Sequence, residues 1–176
     1  MMGGVTMANN ATSFKFDAKF ITRTAILLAI TIIVQFIKMP QLITGSIVNA
    51  MLIISAYFVG IWSGVSIGLL TPIIAFLVGL MSFPILIPFI MIGNALYVVL
   101  FKTVKNNIIG MMIGAVVKFL WLAVSVKYIL TWFNVNVPQK IVAAFTLPQL
   151  ITAIIGGIIG ILLIFILKNY FNKAKE

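Results

Sequence analysis

The segment IIGMMIGAVVKFLWLAVSVKYILTW, residues 108–132, indicates the class of fold. At about 1.5 Å of rise per residue, a helix of this length crosses the roughly 30 Å hydrocarbon core of a bilayer. Lys118 stands near its middle, and Trp121 follows on the same face. A charge at that depth is costly and normally pairs with a carboxylate or faces a wet cavity. Because the two acidic side chains, Asp17 and Glu176, lie near the chain ends, we expect another partner for Lys118, and a bound anion is one candidate.

The composition indicates an all-α, polytopic membrane protein. Of its 176 residues, 63% are hydrophobic and 8% charged, and the mean hydropathy is +1.27. Soluble domains average about 45–50% apolar and about 25% charged residues. The net charge is +10, but the basic residues flank apolar runs and form no stripe or motif for nucleic acid. They therefore predict membrane topology and contact with anionic lipid, with no nucleic-acid partner.

Missing residue types exclude most enzymatic sites. The chain has no cysteine and no histidine, and no carboxylate inside an apolar run, so thiolate, zinc, aspartyl and Ser-His chemistry cannot be assembled. A Ser–Lys dyad of Ser125 and Lys118 is formally available, but two helical turns separate them along the axis. Ion coupling through carboxylates is also disfavoured, although backbone carbonyls can bind sodium. We therefore expect that the protein is not an enzyme, has no catalytic residue, and binds no cofactor and no metal.

Six apolar segments predict a six-helix transmembrane bundle, with a tight hairpin between the second and third. They cover residues 21–37, 46–60, 64–81, 85–101, 108–132 and 145–167. The chain then divides into a disordered leader, an amphipathic lead-in at the membrane surface, one transmembrane domain and a basic tail. Their bounds are residues 1–13, 14–20, 21–168 and 169–176.

Charge placement predicts that both termini are cytoplasmic in a multi-pass protein of the cell membrane. With six spans, most lysines and arginines fall on the side of the termini, as the positive-inside rule requires. The opposite side carries Lys38 and Lys140, with Lys127 near the end of the fifth span. The number of spans and the charge bias agree independently.

One pentapeptide, PQLIT, occurs twice, at residues 40–44 and 148–152. Two similar helix starts would explain it, because proline suits the first turn of a helix. The alternative is that polar residues of both copies bind a ligand at one outward-facing site. Those residues are Gln41, Thr44, Gln149 and Thr152.

Few polar residues lie inside the spans, so each is a candidate for a site. Asn94 and Tyr97 of the fourth span lie at the depth of Lys118, and Trp121 offers an aromatic face to a flat ring. Helix–helix hydrogen bonds are the alternative, and we favour them for Asn49 and Thr71. For Lys118 the alternative is snorkelling toward an interface, which its position in mid-helix disfavours.

The chain resembles the substrate-binding S-components of energy-coupling factor (ECF) transporters. The resemblance rests on six short spans, cytoplasmic termini and the first-helix stretch AILLA, residues 25–29, and it covers nearly the whole chain after the leader. In that family such a pair of alanines faces a transmembrane coupling protein, which implies that Ala25 and Ala29 bind this partner. It also implies two cytoplasmic ATPase subunits, and a lid at residues 38–45.

The resemblance further implies a binding site for a vitamin or similar micronutrient captured from outside. Family sites use the lid and the outer halves of the fourth to sixth helices, where Gln41, Asn94, Tyr97, Lys118, Trp121 and Gln149 fall. Lysines without a carboxylate favour an anionic or acceptor-rich ligand over a cation. The alternatives are a self-contained permease or channel, assembled through glycine-rich faces and working without ATPases, and a scaffold without a ligand.

Overall fold

The computed structural model describes residues 17–173, and within this range the chain forms helices with short connections and no strand. The predicted all-α architecture is confirmed. The predicted leader, the first part of the lead-in and the last three residues lie outside the described range. The helices are α1 (Ala18–Phe36), α2 (Gln41–Phe58), α3 (Ile61–Leu77), α4 (Ile87–Thr103), α5 (Asn107–Val124), α6 (Gln139–Ala144) and α7 (Leu147–Lys173).

Five helical stretches are long and apolar enough to cross a membrane, and they contain α1, α2, α4, α5 and α7. The 3₁₀ turn Pro84–Leu86 leads into α4. A π-helical turn, Ser125–Ile129, and a last turn, Leu130–Trp132, extend α5. The remaining long helix, α3, is apolar but has 17 residues and contains Pro72. Together these helices form the membrane bundle.

Local sequence signals set the helix ends. The Asp17 carboxylate accepts a hydrogen bond from the backbone N–H of Phe20 and caps α1. Pro40 directly precedes α2, which therefore begins at Gln41, earlier than the predicted residue 46. Both PQLIT copies thus start helices. The hairpin between α2 and α3 is as tight as predicted, because Gly60 has a φ of 134° that favours glycine.

Helices α2 and α7 run parallel and nearly touch. Gly45 faces Thr152, and Gly156, one turn further along α7, contacts the backbone oxygen of Ser46. Contacts that advance in the same direction along both helices require parallel axes. Consequently the connections at residues 37–40, 78–86 and 133–146 all lie at one end of the bundle, here called the loop end. The start of α1 and the end of α7 lie at the other end.

Glycines with four-residue spacing bring helix backbones together inside the bundle. Gly64 and Gly68 of α3 face α4, while Gly110 and Gly114 of α5 face α4 from another side. A Cβ atom at Gly110 or Gly114 would lie 2.9 Å from a backbone carbonyl oxygen of α4, so neither position has room for a side chain. These small residues therefore pack helices within the chain.

Candidate functional site

A cavity of about 440 Å³ lies at the loop end. Its volume is in the range of small-molecule sites. Residues from all seven helices and from the connection between α3 and α4 line it, and most of its wall is apolar. Of the side chains predicted to bind a ligand, five line this cavity. They are Gln41, Thr44, Asn94, Lys118 and Gln149.

Lys118 lies at the wall of this cavity and is only 3% exposed. Its Nζ donates a hydrogen bond of 2.6 Å to Oδ1 of Asn49 on α2, and lies 5.5 Å from the centre of the Tyr97 ring. A ring face attracts a cation at this distance. An amide oxygen thus takes the place of the missing carboxylate, and the snorkelling alternative does not hold for a side chain this deeply buried.

Asn49 joins α2 to α7, the two helices that begin with the PQLIT repeats. Nδ2 of Asn49 lies 3.5 Å from Oγ1 of Thr152, and the Thr152 hydroxyl donates to the backbone oxygen of Gln149 at 3.1 Å. Thr152 is buried and does not line the cavity. It therefore supports the Asn49 side chain, and through it Lys118. The two repeats lie side by side, but their four polar residues do not all face the same space.

Asn94 of α4 supplies a hydrogen bond that α3 lacks because of Pro72. Pro72 has no N–H, so the carbonyl of Gly68, four residues earlier, lacks its donor within α3. Nδ2 of Asn94 donates to this oxygen at 2.8 Å. Gly68 allows the close approach, because a Cβ there would lie 2.9 Å from that of Asn94. The Asn94 side chain lines the cavity while it holds α3 and α4 together.

Two predicted aromatic residues lie away from the cavity. The Tyr97 side chain is 0% exposed, and its hydroxyl donates to the backbone oxygen of Ala153 at 2.7 Å. Trp121 donates from Nε1 to the backbone oxygen of Phe89 at 2.8 Å, with the two rings 6.3 Å apart. Both side chains pack and orient helices at the site, and ligand contact by either stays a prediction.

Several polar residues of the cavity were not among the predicted binding residues, including Gln35, Asn49, Thr71 and Lys140. Gln35 lies in the last turns of an apolar run on α1, and Lys140 lies exposed on α6. Asn49 and Thr71 were assigned to helix–helix bonds, which Asn49 indeed makes, yet both also line the cavity. A lone amide in a run as apolar as residues 25–37 was the signal that could have identified Gln35.

The connection between α1 and α2 is shorter than the implied lid. Because α2 begins at Gln41, residues 41–45 are helical and only residues 37–40 remain as a loop. A larger cover comes from α6 with Phe145, and from Phe83 in the connection before α4. These apolar side chains pack in a loop-end cluster around Leu122 and Leu130 of the α5 region.

The polar groups of the cavity have a positive bias. Lys118 and Lys140 line it, and α2 and α7 both begin beside it, where helix N-termini carry partial positive charge. Within residues 17–173 the one acidic side chain is Asp17, which caps α1 at the other end of the bundle. The charged groups that line the cavity are therefore all positive in the described part of the chain.

Comparison with known families agrees with the fold and the cavity. The family model described as ECF transporter, substrate-specific component matches residues 19–168. The chain belongs to this family. This S-component is therefore a multi-pass protein of the cell membrane and a component of a transporter. Neither a curated protein nor a solved structure matches the chain.

Proposed function

We propose that this S-component captures a small anionic or acceptor-rich micronutrient, a vitamin or a precursor of one, for import driven by ATP. The observation that carries the proposal is a cavity at the loop end that contains Lys118 and Lys140 and no carboxylate among the described residues. Apolar walls with a few placed polar groups are typical of small-molecule sites.

The buried position of Lys118 favours high affinity. Its Nζ has a single hydrogen-bond acceptor in the described part of the chain, the Asn49 side chain, although an ammonium can donate three bonds. A carboxylate of the ligand would supply the missing acceptor in surroundings that water screens poorly. Lys140, exposed at the rim, adds long-range attraction without a fixed contact.

We further propose that the loop end faces the outside and both termini the cytoplasm. The positive-inside bias of the sequence supports this orientation. The ligand then enters from outside, past α6 and the connection before α4.

Helix α1 is the proposed contact with the transmembrane coupling protein, which in turn joins two ATPase subunits. It packs against α2 and α3 only along one side, and Ala25 and Ala29 lie on its exposed side. Small side chains on an exposed face allow another helix to approach closely in lipid. The glycine pairs of α3, α5 and α7 already pack within the chain, which disfavours an oligomeric channel assembled through them.

Mass spectrometry of the small molecules that co-purify with the protein tests the ligand class. We expect an acid, and a bound cation without an acidic group would contradict the proposal. Uptake of that acid into liposomes tests the mechanism. Uptake should require the coupling protein, both ATPases and ATP, whereas uptake by the purified chain alone would favour the self-contained permease.

A further inference from the structure

Two buried polar atoms in the cavity wall have no hydrogen-bond partner in the described structure. They are Oε1 of Gln35 and Oγ1 of Thr71, and each residue is 2% exposed. Both residues line the same cavity as Lys118. Buried polar atoms are rarely left without a partner, so two neighbouring exceptions in a cavity wall indicate a group that is supplied when the cavity fills.

The Gln35 amide can present only its oxygen as the free acceptor. Its Nε2 donates to the backbone oxygen of Thr71 at 3.3 Å. Turning the amide over would place Oε1 against this carbonyl oxygen and bring two acceptors together. Oε1 therefore needs a donor from elsewhere, an N–H or an O–H. The hydroxyl of Thr71, the residue whose backbone oxygen Gln35 contacts, can either donate or accept.

This acceptor pair and Lys118 belong to different walls of the cavity. Gln35 and Thr71 are on α1 and α3, which pack against each other. Lys118 is on α5, bonded to α2 and in contact with Gly93 of α4. A ligand that fills the cavity can therefore meet a donor-bearing lysine of α5 and an unpaired acceptor of α1.

We propose, on the basis of the proposed function, that Gln35 and Thr71 form a donor-selective end of the site. The ligand is then a small carboxylic acid that also carries an N–H or O–H group. A ligand donor supplies the partner that Oε1 of Gln35 lacks. An acid of the same shape without the donor leaves the oxygen unpaired and therefore binds less tightly.

Matched pairs of acids test this selectivity. The probes are indole-3-acetate with 1-methylindole-3-acetate, and 4-hydroxyphenylacetate with 4-methoxyphenylacetate, titrated calorimetrically into the purified full-length protein after bound molecules are removed. In at least one pair we expect the donor-bearing acid to bind about tenfold tighter than its methylated partner, a ratio typical of one buried hydrogen bond. Gln35→Leu should bring the ratio close to one.

Thr71→Val separates a binding role from a structural one. The Thr71 hydroxyl has no hydrogen-bond partner among residues 17–173, so its loss should leave the melting temperature of the empty protein unchanged or raised while it lowers the donor preference. Thr31→Val is the matched control. The buried Thr31 hydroxyl donates to the backbone oxygen of Leu27 at 2.7 Å and does not line the cavity, so this variant should lower the melting temperature and keep the preference.

Equal affinities within both pairs for the wild-type protein would overturn the inference. A preference that survives both Gln35→Leu and Thr71→Val would also overturn it, as would failure of all four acids to bind. None of these results bears on ATP-dependent uptake of the co-purifying acid. The donor-selective end and the proposed function therefore fail in different experiments.

Discussion

Replacing Lys118 with methionine tests the electrostatic basis of the site. Methionine is a flexible apolar side chain that fills irregular space, but it has no donor and no charge. If the ligand carboxylate contacts Nζ, removal of this buried charged partner costs about 2–5 kcal/mol of binding free energy. The dissociation constant of the co-purifying acid should then rise between about 30-fold and several thousand-fold.

The effect of this substitution on folding should be much smaller. Oδ1 of Asn49 loses its 2.6 Å hydrogen bond, which costs about 1–3 kcal/mol if the oxygen stays unpaired. Burial of the lysine is itself unfavourable by several kcal/mol, and this penalty disappears with the amino group. Because the two contributions oppose each other, the empty variant should unfold within a few degrees of the wild-type protein. The double variant Lys118→Met, Asn49→Leu removes both partners of this hydrogen bond, and it should be no less stable than Lys118→Met alone.

Calorimetric titration of the co-purifying acid measures the binding loss, and thermal unfolding of the empty protein measures stability. Lys127→Met is the matched control, because Lys127 follows on the same helical stretch but is exposed and does not line the cavity. An affinity within threefold of wild type for Lys118→Met would refute the assignment. An equal loss for Lys127→Met would show that net charge, and not this contact, determines affinity.

Three further predictions concern the scaffold. Tryptophan at Ala25 and Ala29 should prevent co-purification with the coupling protein but spare ligand binding, because the bulk is added on the exposed side of α1. Asn94→Leu should cost about 1–3 kcal/mol, since a buried carbonyl of α3 loses its donor, and Pro72→Ala should recover part of this loss by restoring the backbone N–H. Gly156→Ala should destabilise the bundle by about 1–3 kcal/mol or more, because its methyl group would overlap the backbone of α2.

Co-purification and thermal unfolding can contradict these predictions. Normal complex formation by the double tryptophan variant would remove α1 from the interface. Equal melting temperatures for Asn94→Leu with and without Pro72→Ala would show that the hydrogen bond does not compensate for the proline. Gly93→Ala is the control for Gly156, because a Cβ at Gly93 would meet its neighbours at an ordinary 3.5 Å.

Local patterns in the sequence were sufficient to predict the long helices, but not the early start of α2 or the short helix α6. The apolar runs, the helix-starting prolines and the glycines at four-residue spacing act through neighbouring residues or through close backbone contact, so their effect is visible in the chain itself. Burial of Lys118 without a carboxylate was also predictable, because the composition supplies no acidic partner.

Depth and rotation of the helices could not be predicted in this way. Tyr97 lies one turn beyond Asn94, toward the end of α4 that is away from the cavity, and its hydroxyl bonds to α7. Trp121 lies one turn beyond Lys118 and bonds to α4. Helical spacing places each aromatic residue near its polar neighbour. The packing of the other helices, however, determines which of these side chains line the cavity.

A helical membrane bundle and a buried lysine in need of a partner are predictable from the chain alone, since they follow from hydrophobicity and composition. Which polar groups share a cavity depends on how the helices pack. Gln35, Thr71 and Lys118 are far apart along the chain, and their common surroundings depend on how α1, α3 and α5 pack. Which atoms remain unpaired in that space depends on every hydrogen bond around it, and no short stretch of sequence contains that information.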